Sequence, residues 1–215
     1  MTRLYVCAVL FDMDGTLVDS TAMVEAVWTE FAEANDVDAG AVIDFAHGRP
    51  SRDTIARFAA DPSRIDEWND WIHTAESERF TEVTAIPGAL AAVRSLPSGS
   101  WAVVTSALHE PALHRLLQNG FPTPPVLIGA DDVRRGKPHR EGFTRAAVAL
   151  GYEPHDCVVF EDTLAGAIAA RKAGCTLVAV GSADLGRVHA RITDFTQVTF
   201  SPAGDGDLFL DIESV

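Results

Sequence analysis

Short apolar runs alternate with helical patterns along most of this chain. Helical spacing of apolar residues covers about 88–96, 110–119, 140–150 and 164–173. Strands that alternate with helices of this length form βαβ units and a parallel sheet. The pattern therefore predicts an α/β fold, whose strands are the five apolar runs Leu4–Leu10, Trp101–Val104, Val126–Ile128, Cys157–Phe160 and Thr176–Val180.

The alternation stops between about residues 18 and 82, which contain no good strand run. Aromatic and branched residues fall there at helical spacings, from Trp28 and Phe31 to Trp68, Trp71 and Phe80. Pro87-Gly88 marks the return to the sheet pattern. We predict a small helical domain at 18–83, inserted into a core formed by 1–17 and 84–215.

The end of the chain has the pattern of a hairpin. Thr196–Phe200 and Asp207–Ile212 are strand-like and flank a turn-rich segment, 201–206, that contains one proline and two glycines. We expect this hairpin to lie at an edge of the sheet and to carry no chemistry.

Composition narrows the class of partner. The net charge of −14 argues against nucleic acid and against an anionic membrane surface. It does not exclude an anionic substrate, because a metal and a few local cations can reverse the charge of one site. No apolar run is long enough to span a membrane, and no signal peptide is evident. Three widely spaced cysteines indicate a reducing compartment, so we expect a cytoplasmic protein, by default a monomer.

Polar side chains follow several predicted strands at the point where each strand ends. The carboxyl ends of the strands of an open α/β sheet are where such folds bind ligands. Each of these groups alone is weak evidence, but together and in this order they predict a site for an anionic substrate. They are Asp12 and Asp14, Thr105-Ser106, Gly136-Lys137-Pro138, and Glu161-Asp162.

Other interpretations exist for each group. Asp12 to Gly15 could form an ordinary turn, or begin a calcium loop, although Met23 stands where that loop requires a glutamate. Glu161-Asp162 could be carboxylates at a helix start. Lys137 is one of only two lysines, which favours a functional role over a surface one.

Taken together, these motifs resemble the haloacid dehalogenase-like hydrolase superfamily over the full length of the chain. The resemblance implies a three-layer, Rossmann-like parallel sheet core with an inserted α-helical cap, as in the β-phosphoglucomutase-like branch. The segment from His47 to Ile55 resembles the sugar-phosphate phosphatases of that branch, including those for 2-deoxyglucose 6-phosphate and polyol phosphates. The chain departs from its relatives at His139-Arg140, where Pro and Asp are usual, and at Thr163, where Ser is frequent.

The resemblance implies a role for each residue. Asp12 would attack phosphorus to form an aspartyl phosphate, and Mg²⁺ would offset the repulsion between the two anions. Asp12, Asp162 and the backbone carbonyl of Asp14 would hold the metal, and Glu161 would bind it directly or through water. The Asp14 side chain would act as general acid and base. The remaining site residues would bind substrate: Lys137, Thr105 and Ser106 the phosphoryl group, and His47, Gly48 and Arg49 the rest of the molecule.

Two alternatives to a phosphatase remain at this stage, one enzymatic and one non-catalytic. A β-phosphoglucomutase-type mutase would use the same nucleophile but return the phosphate to a sugar. Such mutases have a histidine near position 24 and a lysine in the cap, whereas this chain has Val24 and no cap lysine, which favours hydrolysis. A non-catalytic protein would have lost some of the motif residues. We expect hinges at 18–20 and 85–88, with Asp19 and Ser20 as hinge or helix-capping residues and the remaining histidines at the surface or in caps.

Overall fold

The structure is a computed structural model that describes residues 1–79, 82–204 and 206–213. Its centre is a parallel sheet of six strands with the order β6-β5-β2-β7-β8-β9. The strands are β2 (Ala8–Phe11), β5 (Trp101–Val104), β6 (Val126–Ile128), β7 (Cys157–Glu161), β8 (Thr176–Val180) and β9 (Ala190–Ile192).

Helices cover both faces of this sheet. Val9 and Phe11 of β2 pack on one side with α5 (Ala89–Ser95) and α6 (His109–Gln118). Ala8 and Leu10 point to the other side, toward α7 (Glu141–Leu150) and α8 (Leu164–Ala173). The central strands β2 and β5 are wholly apolar and buried, as expected for strands that are covered on both faces. The predicted three-layer α/β core is confirmed.

The first apolar run is two strands, which corrects the single strand predicted over Leu4–Leu10. β1 (Thr2–Val6) pairs with β11 (Asp207–Ile212) in a separate antiparallel sheet, whereas β2 begins at Ala8. The two strands differ in burial, because β2 is buried on both faces and β1 alternates between exposed and buried positions. Arg3 and Tyr5 on β1 make polar contacts with β11.

The predicted terminal hairpin exists but belongs to this second sheet, of order β1-β11-β10, and not to an edge of the parallel sheet. β10 runs from Val198 to Gly204 and includes four residues of the predicted turn. Position 205 lies outside the described residues. The edge strand of the parallel sheet beside β8 is β9. The sequence pattern did not predict β9, because this strand is short and has Arg191 at its centre.

Among the described residues of this segment, four α-helices lie between β3 (Val18–Asp19) and β4 (Thr84–Ala85), two strands that pair antiparallel where the predicted hinges fall. We call residues 18–83 the helical insert. Its aromatic core includes Phe31 in edge contact with Trp28 and Trp68, at centroid distances of 5.4 and 5.1 Å; Phe80 lies outside the described residues. The helices are α1 (Thr21–Asn35), α2 (Ala39–Ala46), α3 (Ser51–Phe58) and α4 (Ile65–Glu78).

The order of the sheet determines where a site can form. From β2 the chain proceeds to β5 and β6 on one side, and then returns to β7 on the other side of β2. The carboxyl ends of β2 and β7 therefore meet at a topological switch point, where open α/β sheets bind ligands. In the described part of the chain, no helix has the length and apolar character needed to cross a membrane.

Candidate active site

Three carboxylates gather where β2 and β7 end. The strands are adjacent, and the amide of Asp12 donates to the carbonyl of Phe160 at 3.0 Å. One oxygen from each of Asp12, Glu161 and Asp162 lies within 4.8 Å of the others. Oxygen ligands at this spacing suit a hard divalent cation such as Mg²⁺.

Lys137 is the cation that the structure itself supplies to this cluster. Its buried Nζ donates to Asp12 Oδ1 at 2.5 Å and to Glu161 Oε2 at 2.7 Å. Burial would lower the pKa of the ammonium group, but attraction to the two carboxylates outweighs it, so the pKa of Lys137 is raised. The lysine is therefore held charged against Asp12.

One ammonium does not balance three carboxylates. Burial, with repulsion from Glu161, raises the pKa of Asp12 to about 7 despite the opposing effect of Lys137. Burial, with repulsion from Glu161 and Asp12, also raises the pKa of Asp162 well above its usual range. The surplus negative charge and the all-oxygen donor set fit a divalent cation, which would stabilise both groups in the charged form.

The oxygens of Glu161 are already engaged. Oε1 accepts from the backbone amide and the hydroxyl of Thr163, at 3.0 and 2.6 Å, and Oε2 accepts from Lys137. The carboxylate is fully buried, and a Cβ at Gly166 would stand 2.0 Å from it, so this position of α8 has to be glycine. Glu161 is thus better placed to orient Lys137 than to bind an ion through a free oxygen.

The side chain of Asp14 lines the cavity beside Asp12, and one of its oxygens is held by two donors. Ser20 Oγ lies 2.7 Å and Arg115 Nη1 2.5 Å from Asp14 Oδ1. Ser20 stands at the start of α1 but makes no side-chain capping bond there. Ser20 was predicted to be a hinge or helix-capping residue; its hydroxyl does not cap the helix, because it is used on Asp14. Asp19 accepts from the amide of Thr21 at 3.1 Å, as expected for the start of the helix.

Arg115 and Glu76 are site residues that the sequence analysis missed. Arg115 Nη2 lies 3.5 Å from Glu76 Oε2, and both side chains are largely buried. Burial raises the pKa of Glu76 to about 7, against the attraction of Arg115. A signal was available: Arg115 lies on the buried face of α6 with Ala112 and Leu116, and Glu76 follows Ile72 by one helical turn in α4. A charge on the apolar face of an amphipathic helix calls for a buried partner.

A cavity of about 140 Å³ lies between the sheet edge and the helical insert. It brings predicted residues of the core and of the insert together. Lys137 and Glu161 are not among its lining residues, and Lys137 contacts the lining residue Asp12. His73, expected at the surface or in a cap, also lines it, and burial lowers the pKa of His73. The polar lining comprises Asp12, Asp14, Thr105, Ser106, Arg115, Asp162 and Thr163 from the core, and Ser20, Thr21, His47, Arg49, Ser51, His73 and Glu76 from the insert.

The loop between α2 and α3 closes directly onto the core. Ser106 Oγ donates to the carbonyl of Gly48 at 3.1 Å. Gly48 has a φ of +71°, and a Cβ there would stand 2.3 Å from Thr163 Oγ1. Only glycine combines this backbone conformation with such a close approach.

The arginines of this loop region point in different directions. Arg49 lines the cavity and lies over the ring of Phe45, 4.4 Å from its centroid. Arg52 is exposed and pairs with Asp66 at 2.6 Å, outside the cavity. Thr105 is buried at the end of β5, and its hydroxyl accepts from the amide of Ala107 at 3.1 Å.

The fold agrees with the comparisons with known proteins. The haloacid dehalogenase-like hydrolase family matches residues 6–174, and the chain belongs to that family. It is 36% identical to hexitol phosphatase A of Escherichia coli (strain K12) over 94% of this chain and 97% of the relative. It is 34% identical to glycerol-1-phosphate phosphohydrolase 2 of Saccharomyces cerevisiae, over 83% and 76% of the two chains. Its fold is similar to that of β-phosphoglucomutase from Clostridium difficile, with a TM-score of 0.79, 20% identity and coverage of 89% and 92%.

Proposed function

We propose that this chain is a Mg²⁺-dependent phosphatase that hydrolyses small sugar or polyol phosphates through an aspartyl-phosphate intermediate. The observation that carries the proposal is the position of Asp12, which contacts a buried lysine at 2.5 Å, belongs to a cluster of three carboxylates and lines the cavity under the insert. The phosphatase class itself, a phosphoric monoester hydrolase, is that of the hexitol and glycerol-phosphate relatives.

In the proposed reaction, Asp12 attacks phosphorus as the bond to the leaving oxygen breaks. Lys137 neutralises charge on the nucleophile and on the phosphoryl oxygens, and the hydroxyl of Thr105 donates to one of these oxygens. Mg²⁺ held by Asp12, Asp162 and the carbonyl of Asp14 would reduce the repulsion between the carboxylate and the phosphate. Glu161 keeps the ammonium of Lys137 aimed at Asp12.

Asp14 carries the proton in both halves of the reaction. Its protonated side chain gives a proton to the leaving alkoxide, which departs as an alcohol. The resulting carboxylate then takes a proton from the water whose oxygen attacks the phosphorus of the aspartyl phosphate. Inorganic phosphate leaves, and Asp12 and Asp14 return to their starting states. Such general acid–base assistance is worth about 10²–10⁴-fold.

The lining of the cavity supports hydrolysis over phosphomutase activity. Val24 is apolar and lines the cavity near Asp14, so it offers no imidazole to a returning sugar hydroxyl. The insert has no lysine in its sequence, so its basic side chains that line the cavity are Arg49, His47 and His73. These features favour water as the acceptor of the phosphoryl group.

The proposed substrate class follows from the size and polarity of the cavity. A volume of about 140 Å³ suits a monophosphate with a short chain of carbons. Ser51, His73 and Glu76 of the insert present hydroxyl, imidazole and carboxylate groups to it, which are suitable partners for sugar or polyol hydroxyls. His47, Gly48 and Arg49 would complete this specificity region of the cap.

The test is phosphate release from a panel of sugar and polyol phosphates and p-nitrophenyl phosphate, with Mg²⁺ and with a chelator. We expect Mg²⁺-dependent release by the wild type, its loss in Asp12→Asn, and its retention in the exposed control Asp70→Asn. His47→Ala and Arg49→Ala should change the ranking of substrates, whereas Arg52→Ala, whose side chain lies outside the cavity, should not. Full activity in Asp12→Asn would overturn the mechanism, and an unchanged ranking in both cap variants would overturn the assigned specificity region.

A further inference from the structure

Arg115 joins two carboxylates that come from different parts of the fold. Its side chain is 4% exposed and projects from α6 of the core. Nη1 donates to Asp14 at the end of β2, and Nη2 donates to Glu76 on α4 of the insert. A guanidinium group suits this position because its planar fork can engage two oxygens in fixed directions.

The contacts of Asp14 distinguish its two oxygens. Both donors, Arg115 Nη1 and Ser20 Oγ, bond to Oδ1, at 2.5 and 2.7 Å. Among the described residues no donor bonds to Oδ2, and the Asp14 side chain remains 27% exposed to the cavity. Two hydrogen bonds at one oxygen fix the rotation of the carboxyl group, so Oδ2 is the oxygen left to exchange a proton.

Both supports of Asp14 depend on the insert. Ser20 directly precedes α1, the first helix of the insert. Glu76 lies near the end of α4 and meets Arg115 only because the insert rests on the core at the Gly48 loop. Moving the insert away would leave Arg115 with Asp14 as its single carboxylate partner and would shift Ser20.

We propose that Arg115 is a positioning residue that, paired with Glu76 of the closed insert, holds Asp14 with Oδ2 as the proton-carrying oxygen. This inference rests on the proposed function. It adds a condition to that function, since Asp14 is correctly placed only while the insert is closed. If this ion pair had a purely structural role, its removal would lower the activity by the same factor for every substrate.

The experiment compares two substrates of similar shape that differ in their need for a proton. p-Nitrophenolate leaves as an anion near neutral pH, whereas the more basic phenolate of phenyl phosphate gains more from protonation. The value of kcat/KM reports steps up to departure of the leaving group. We expect Arg115→Met to lower kcat/KM about tenfold to 100-fold for phenyl phosphate and less than about threefold for p-nitrophenyl phosphate. Asp14→Asn should show the same selectivity and serves as the benchmark.

Further variants keep the test decisive. Glu76→Gln should produce a weaker loss of the same selective kind, and the exposed Glu78→Gln on the same helix should produce none. If Arg115→Met does not fold, as judged by circular dichroism, Arg115→Lys replaces it, since it keeps the charge but cannot reach both carboxylates with a fork. Equal losses on both substrates, or no loss on either, would overturn the positioning role. A wild type without phosphatase activity would instead overturn the proposed function.

Discussion

Replacing Lys137 with methionine should destabilise the fold as well as the reaction. The ammonium of Lys137 lies between Asp12 and Glu161, and the carboxylate of Glu161 is fully buried. Methionine retains most of the volume beside Phe143 but removes the charge. The buried carboxylates then lose their cation, and removing one partner of such a pair typically costs about 3–5 kcal/mol.

A second route gives a similar magnitude. The lost charge can be accommodated by protonating one carboxyl group. For a glutamate of ordinary pKa, about 4.3, protonation at pH 7.5 costs about 4 kcal/mol at 1.36 kcal/mol per pH unit. The same cost at pH 5.5 is about 1.6 kcal/mol, so the destabilisation should shrink as the pH falls. For a chain of this size, about 4 kcal/mol lowers the Tm by roughly 8–16 °C.

The assay is urea and thermal unfolding, followed by circular dichroism with a chelator present, at pH 7.5 and pH 5.5. Lys172, the other lysine, is exposed and supplies the control Lys172→Met, which should stay within about 0.5 kcal/mol of the wild type. The double variant Lys137→Met/Glu161→Gln should recover much of the loss, because it leaves one fewer buried charge. If Lys137→Met is as stable as Lys172→Met, or equally destabilised at both pH values, the electrostatic account is wrong.

Two further predictions concern the metal and the closure of the insert. The raised pKa of Asp12, about 7, means that the metal-free protein loses stability as the pH rises from about 4 to 7, and that a metal must displace a proton below pH 7. The rise in Tm caused by Mg²⁺ should therefore be smaller at pH 6 than at pH 8, by roughly 3–5 °C. This rise in Tm should vanish in Asp162→Asn. Equal rises in the Tm of the wild type at the two pH values would contradict the linkage between metal binding and proton release. Gly48→Ala should lower kcat/KM about tenfold or more, because its Cβ would meet Thr163 at 2.3 Å and prevent closure. Gly186→Ala shares the positive φ but has open space in the described structure, so both variants should lose about 1–2 kcal/mol of stability while only Gly48→Ala loses activity.

The residues at the carboxyl ends of the strands show how much of the site the local sequence pattern predicts. The residues after β2, β5 and β7 were predicted correctly as neighbours, because parallel strands of one sheet end at one edge. Residues from His47 to Arg49 were assigned to substrate through family resemblance, and they line the same cavity as Asp12. Their roles in binding remain predictions until the cap variants are measured.

Errors arose where an element's partner lies far away in the chain. Whether the first apolar run stays one strand depends on β11, some two hundred positions later, which takes β1 into a second sheet. Ser20 is an exception, because its partner Asp14 lies only six positions away, and the two meet through the turn that joins β2 to the insert. His73 looked like a surface histidine because nothing near it in sequence indicates the cavity wall that it joins.

The sequence by itself determined which polar side chains meet at the strand ends, since apolar periodicity and turn residues are local signals that bring Asp12, Thr105 and Asp162 to one edge. Only the tertiary structure decided which groups support that chemistry. Asp14 and Arg115 are 101 positions apart, and Glu76 reaches them from a different part of the fold. Contacts of this kind depend on how the helices pack and on burial, because buried charges have to pair. The spacing of residues along the chain does not indicate either one.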